Sequence, residues 1–229
     1  YNKPVSHLPG VCACGKLYSL DHSQVCKLGG FIHMRHDDPK DLFASLCGEV
    51  FNDVEVEPPL QPLSGEEMVH KSAKKDDEAR SDVRVRSFWS KGRNAFFEFR
   101  VSYPYARCYL STKPEKLLQQ ISKTRKREYG QRVREVEDGD FTPMIMFSTG
   151  GLGKEMGVAI NHLAGLLAEK RNEDYATVVN VLRCSFAFCL ARSSLVCLRG
   201  SRPCRSSRGV VKATALTEEA VVVAHDCGL

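Results

Sequence analysis

Residues 80–103 read RSDVRVRSFWSKGRNAFFEFRVSY. Apolar and polar side chains alternate on both sides of a polar segment, Ser90 to Asn94, so the stretch predicts two strands joined by a turn, a β-hairpin. Val83 and Val85 share one face of the first strand. Phe97, Phe99 and Val101 share one face of the second, and the two faces can meet in a common core. Asp82 then falls on the opposite face together with Glu98 and Arg100. Metal-dependent cleavage of a phosphodiester needs carboxylates that hold Mg²⁺ and a cation that meets developing negative charge. That face supplies both. It also carries Arg84 and Arg86, so a solvated strand with ordinary surface charges is the other reading of the same pattern.

Outside the hairpin, the signals alternate between helix and strand. Asp38 is placed as an N-cap and Pro39 as the first residue of a helix whose apolar stripe is Leu42, Phe43, Leu46, Cys47, Val50 and Phe51. Phe31 to His36 before it reads as a short extended segment, and His33, Arg35 and His36 as a basic surface or as plain polar loop residues. Val54 to Glu57 predicts a short strand stopped by Pro58 and Pro59, and residues 61–79 a charged loop. Beyond the hairpin, Pro114 opens a helix to about Val136, with Leu117, Leu118, Ile121, Tyr129, Val133 and Val136 on one arc. Its other surface carries Lys116, Lys123, Lys126, Arg127, Arg132 and Arg134, either a solvated face or one suited to a phosphate backbone. Arg125 breaks the apolar arc one turn before Tyr129 and calls for a partner there. Phe141 to Phe147 predicts a buried strand, and two helices follow, from about Lys154 to Lys170 and from about Asp174 to Leu198. Gly150 to Lys154 fails the phosphate-loop pattern, because Glu155 stands where Ser or Thr is needed, and reads as a tight turn. The fold class is mixed α/β, a small sheet flanked by helices.

Composition narrows the class further. The chain has 229 residues, 42% of them hydrophobic and 27% charged, with a net charge of +5, as in an ordinary soluble globular protein of one large domain with small appendages. It starts at Tyr1, which suggests a piece of a longer protein. No signal peptide is visible, and Arg183 and Arg192 inside the apolar run from Ala176 to Leu198 favour a buried soluble helix over a membrane span. Ten unevenly spaced cysteines point to reduced thiols in an intracellular protein rather than a disulfide scaffold. Four potential ligands fall within residues 12–26 as C-x-C-x7-H-x3-C: Cys12, Cys14, His22 and Cys26. Three thiolates and an imidazole suit a closed, structural zinc site, and the spacing of His22 and Cys26 is about one helical turn. Unrelated loop cysteines are the alternative.

Several of these stretches carry a wider likeness: C-x-C-G at 12–15 with DHSQVC at 21–26, GGFIHMRH at 29–36, SDVRVRSFW at 81–89, AFFEFRV at 95–101, R-x3-Y at 125–129 and FTPMIMFSTGGLG at 141–153. Together, from Cys12 to Arg202, they resemble the C-terminal region of non-LTR retrotransposon polyproteins of the restriction-like-endonuclease class. In that family a reverse transcriptase is followed by a Cys-Cys-His-Cys zinc knuckle and an endonuclease of the PD-(D/E)xK fold. The resemblance implies a knuckle over residues 1–30, a restriction-endonuclease-like domain over 31–200 and an unassigned tail over 201–229. It implies a nuclear protein that nicks DNA to prime reverse transcription, with structural zinc, catalytic magnesium, DNA and element RNA as partners, and no membrane. Asp82 and Glu98 match the family's metal-binding acids, Arg100 the position of its catalytic lysine, Arg125 and Tyr129 its helix motif, and Glu49 the acid on its first helix. Arg100 keeps the lysine's charge but does not readily exchange a proton, and Ser81 stands where proline often precedes the first acid. The alternative function is an inactive nucleic-acid-binding module of the same fold. A zinc-binding interaction protein is a third reading.

Overall fold

A computed structural model describes residues 8–61 and 79–200; the expected tail and most of the expected charged loop, residues 62–78, lie outside them. A short helix, α1 (Leu20–Val25), precedes a long one, α2 (Phe31–Val50). Strands β1 (Val54–Val56), β2 (Val83–Arg86) and β3 (Asn94–Ser102) lead to helix α3 (Pro114–Glu135), then to β4 (Asp140–Phe147), α4 (Lys154–Arg171) and α5 (Tyr175–Arg199). The strands form one mixed sheet in the order β1-β2-β3-β4, antiparallel except for the parallel pair β3 and β4.

The alternation in the hairpin sorts the two sides of the sheet. Ala95, Phe97, Phe99 and Val101 of β3 join Val83 and Val85 in the main core, against Phe43 of α2, Leu163 of α4 and Phe186 of α5. Phe43 has Phe97, Phe99 and Phe88 as ring neighbours, with centroids 4.8, 5.6 and 5.9 Å away. Phe96 points the other way, into a smaller apolar cluster with Val133 and Tyr129 of α3 and Phe141 of β4. Helix α3 therefore covers the face that also holds Glu98. The hairpin turn runs through Gly92 at φ 81°, a left-handed conformation that favours glycine. Pro143 lies inside β4, tolerated because β4 is an outer strand of the sheet.

Helix α2 departs from expectation. It starts at Phe31, with no extended segment before Asp38, and Pro39 lies in its interior. Gly30, left-handed at φ 74°, turns the chain into the helix, and its carbonyl accepts from the amides of His33 and Met34. Phe31, Arg35, Pro39 and Phe43 are buried at a spacing of four, one continuous stripe. Packing along that stripe outweighs the roughly 3 kcal/mol that an interior proline costs. Arg35 is thus a buried residue, not part of a basic surface.

Two further residues differ from their expected surroundings. Arg132, placed by sequence on the basic exterior of α3, is 1% exposed, and its Nε and Nη2 have no hydrogen-bond partner among the described residues. Helix α5 is less enclosed than a core helix: its most apolar window has a mean hydropathy of 1.6 and is 28% buried. It packs Val178, Leu182, Phe186 and Leu190 inward and leaves Val181, Phe188 and Leu195 exposed, because it forms an outer layer covered on one side only.

A buried ammonium braces α2 against the end of β1. Lys40 Nζ donates to Glu57 Oε1 at 2.7 Å and lies 3.4 Å from Asp37. Its hydrogen bond and charge hold the Glu57 carboxyl below the ordinary range. A depressed carboxyl stabilises the fold above its unfolded pKa, and that stabilisation is lost as pH falls through the folded value. Glu57→Gln is therefore expected to lower stability by about 1 kcal/mol near about pH 7, given how exposed Glu57 is, and to lose most of that difference by about pH 3. Urea unfolding at both pH values measures it. Arg132→Met is expected to raise the urea midpoint, by about 1–3 kcal/mol, since it removes a buried charge that lacks full pairing. A lowered midpoint would show that the guanidinium supports the fold.

Candidate metal centre and carboxylate site

The Cys/His cluster is assembled by two local structures. Cys12, Cys14 and Gly15 form a tight turn in which the Gly15 amide donates to the Cys12 carbonyl and Gly15 adopts φ 83°. Ser19 caps α1 by accepting from the His22 amide, and the Cys26 amide donates to the His22 carbonyl, so one helical turn aims both ligands at the pair before them. All four ligand atoms lie within 4.8 Å of one another, the one His/Cys/Asp/Glu group of three or more so arranged among the described residues. Cys12 Sγ and Cys26 Sγ are 3.8 Å apart, and Cys14 Sγ and His22 Nε2 3.3 Å apart. Tetrahedral bond lengths to zinc give separations of about 3.8 and about 3.6 Å. The donors and their spacing fit, and the four side chains can hold a metal ion such as zinc. The Lys16 backbone amide, the main influence, holds the Cys14 thiol below its ordinary pKa, while burial raises that of Cys12.

The cluster is tied to the rest of the chain. Gln24 Nε2 donates to the Ser194 carbonyl of α5 at 3.1 Å, Gln24 Oε1 accepts from Arg35 at 2.9 Å, and Tyr18 donates to the Leu198 carbonyl.

The second constellation is built on the hairpin register. Val83 pairs with Phe97, so one step beyond the ladder Asp82 comes level with Glu98. Asp82 Oδ2 accepts from the Phe99 amide at 2.5 Å. It also lies 3.3 Å from His36 Nε2, which is 3.1 Å from the Phe99 carbonyl as well. Asp37 holds the other ring nitrogen at 3.1 Å. Burial opposes the imidazolium, but the hydrogen bonds and charges of Asp82 and Asp37 outweigh it and lift the His36 pKa to about 9. One carboxylate oxygen of Asp82 is thereby fixed, and Oδ1 makes no hydrogen bond among the described residues.

Glu98 is 8% exposed and accepts no hydrogen bond among the described residues. Burial first, then the charge of Asp82, pushes its pKa up to about 8. Arg125 Nη1 approaches to 3.9 Å but is bonded at 2.8 Å to Glu128, and its guanidinium lies 5.8 Å from the Tyr129 ring centre. Tyr129 stacks on Phe141 at 5.9 Å, and burial, then the Glu98 charge, raises its hydroxyl to about 12. Buried Glu98 does not fit the picture of a solvated strand. Arg84 does, in part: it is taken up by Asp53 and Glu55 at 3.0 and 2.9 Å.

The structure thus brings together Asp82, Glu98, Arg125 and Tyr129, and it adds His36. Arg100 is exposed, two residues along β3 from Glu98 and on the same face. Glu49 stands apart: it lies thirteen residues beyond His36 on α2, about 20 Å along the axis, and pairs with Arg171 of α4 at 2.6 Å. His36 escaped the sequence reading because its segment was expected to be extended. A helix begun at Gly30 is the signal that places His36 in register with the hairpin. No protein-family model matches the chain, and no curated protein matches its sequence.

Loading the purified chain with zinc is expected to give about one ion per molecule, and Cys26→Ser to lose it, as measured by elemental analysis. The wild-type melting temperature should fall when the metal is chelated, because α1 is bonded to α5. An unchanged zinc content in Cys26→Ser would rule out this ligand set.

Proposed function

We propose that the chain is the zinc-knuckle and endonuclease region of a non-LTR retrotransposon-type polyprotein and nicks DNA with the help of a divalent metal. The observation that carries this reading is Glu98, a buried carboxylate without hydrogen-bond donors, level with an Asp82 whose free oxygen is Oδ1. An acid so placed is costly unless a cation completes it. The order of elements, a helix, three antiparallel-linked strands, a helix and a parallel strand, supports a restriction-endonuclease-like core. So does the basic exterior of α3, where Lys116, Lys123, Lys126, Arg127 and Arg134 are exposed and can meet a phosphate backbone.

Asp82 and Glu98 are the residues that would hold magnesium, which when bound supplies Lewis-acid polarisation of the phosphate and a more acidic water. His36 and the Phe99 amide fix the Asp82 carboxylate, leaving its second oxygen presented. Arg125 is shared between Glu98 and Glu128, so it can turn to a phosphate oxygen without leaving either acid bare. Tyr129 keeps its proton to high pH and serves as a donor. Arg100 is free to bind the scissile phosphate through two N–H groups but is a poor proton carrier. That last feature favours the second reading, a module of the same fold that binds nucleic acid and does not cut it.

A nicking assay on supercoiled plasmid with and without magnesium separates the two. Asp82→Asn and Glu98→Gln are each expected to reduce metal-dependent nicking by about 100-fold or more while gel-shift binding persists. Nicking that survives both substitutions would sink the assignment of the acids. Absence of nicking in the wild type, with salt-sensitive binding intact, would select the inactive module.

A further inference from the structure

Two adjoining depressions lie where the hairpin turn, α3, β4 and the start of α4 meet, of about 520 and about 320 Å³. They share Trp89, Lys126, Phe141 and Thr142, and their sizes fall in the range of small-molecule sites. Trp89 is held in place: its indole N–H donates to Thr142 Oγ1 at 3.0 Å, and its ring lies against His162 at 5.1 Å. Phe141 continues an aromatic row that begins at Tyr129, beside Glu98. The middle of the depression is therefore aromatic and fixed.

Its charges fall into two groups. Lys126 is taken by Glu155 at 2.5 Å, and Arg93 lies 3.6 Å from Asp140. Arg134, which lines the first depression only, and Lys154, which lines the second only, are exposed and make no ion pair among the described residues. An uncompensated cation thus stands at either end of an aromatic floor. A free mononucleotide would use one such cation. A base with a phosphate on each side uses both, and single strands bind by this combination of stacking and backbone contacts.

We propose that this depression takes one unstacked nucleotide of a DNA single strand, its base on Trp89 and Phe141 and its flanking phosphates on Arg134 and Lys154. The choice of DNA as ligand rests on the nicking reading; the site itself does not require that Asp82 and Glu98 be catalytic. The strand would pass from the carboxylates along the Tyr129–Phe141 row, which places the bound nucleotide to one side of the cleaved bond.

The chain has a single tryptophan, so intrinsic fluorescence reports on this depression directly. Titration with an oligothymidylate of about 8 nucleotides, without added magnesium, is expected to quench it, and a duplex of equal length to do so at least about tenfold more weakly. The double variant Arg134→Glu with Lys154→Glu changes two exposed side chains and should fold. It is expected to weaken oligothymidylate binding about tenfold or more and to lower the salt slope by about 1. Asp82→Asn should leave the quenching unchanged. Equal quenching by duplex, no quenching at all, or an affinity indifferent to the charge reversal would each overturn the proposal. If nicking fails but quenching holds, only the catalytic reading falls; if nicking persists without quenching, only the nucleotide site falls.

Discussion

The pairing of Val83 with Phe97 sets the rest of the structure. A slip of one residue would turn Phe97 and Phe99 away from Phe43 and drive Glu98 into the main core. Because that core is rich in aromatic contacts, the correct register is strongly favoured, and the positions of Asp82 and Glu98 follow from it. The acids are thus held by the packing of side chains on the opposite face of the same strands. The Phe99 amide adds a local lock, since it bonds the Asp82 side chain where the ladder ends. His36 then joins α2 to that lock, so the helix, the hairpin and the site share one fixed point.

The parts of the fold that follow a simple period could be read in the sequence. Period-two alternation gave the hairpin faces, and helical spacing gave α3, α4 and α5 nearly to their ends. The start of α2 could not be read in this way, because its buried stripe runs through Arg35 and Pro39, residues that pattern reading assigns to a surface and to a helix start. Tertiary packing overrode both assignments. The same blind spot hid His36 and the buried Lys40. Arg132 shows the converse: a cation among cations on α3 reads as exterior, yet it lies at the sheet. Glu49 had the right residue type on the right helix, and only its distance along the axis and its pairing with Arg171 separate it from the other acids.

The two constellations differ in what organises them. The Cys/His cluster is local, made by a tight turn and a single helical turn within fifteen residues, so spacing alone pointed to it. The carboxylate site draws on α2, β2, β3 and α3, and only tertiary structure brings His36 to Asp82 or Arg125 to Glu98. Contacts from Gln24 and Tyr18 to α5 couple the first to the second through the body of the fold.

The outer edge of β4 has a consequence for how this chain can meet others. The Ile145 carbonyl and the Phe147 amide, which face outward, are already bonded to Gly153 and Gly151. Pro143, on the same side by alternation, has no amide hydrogen to offer. Along most of its length this border of the sheet therefore lacks the row of free donors and acceptors on which a foreign strand could zip up. Sheet extension, the commonest route to accidental self-association for a protein with an open edge, is closed here by one ring and one glycine-rich loop. Recognition on this side must run through side chains, and the side chains next to that edge are Trp89, Phe141 and Lys154.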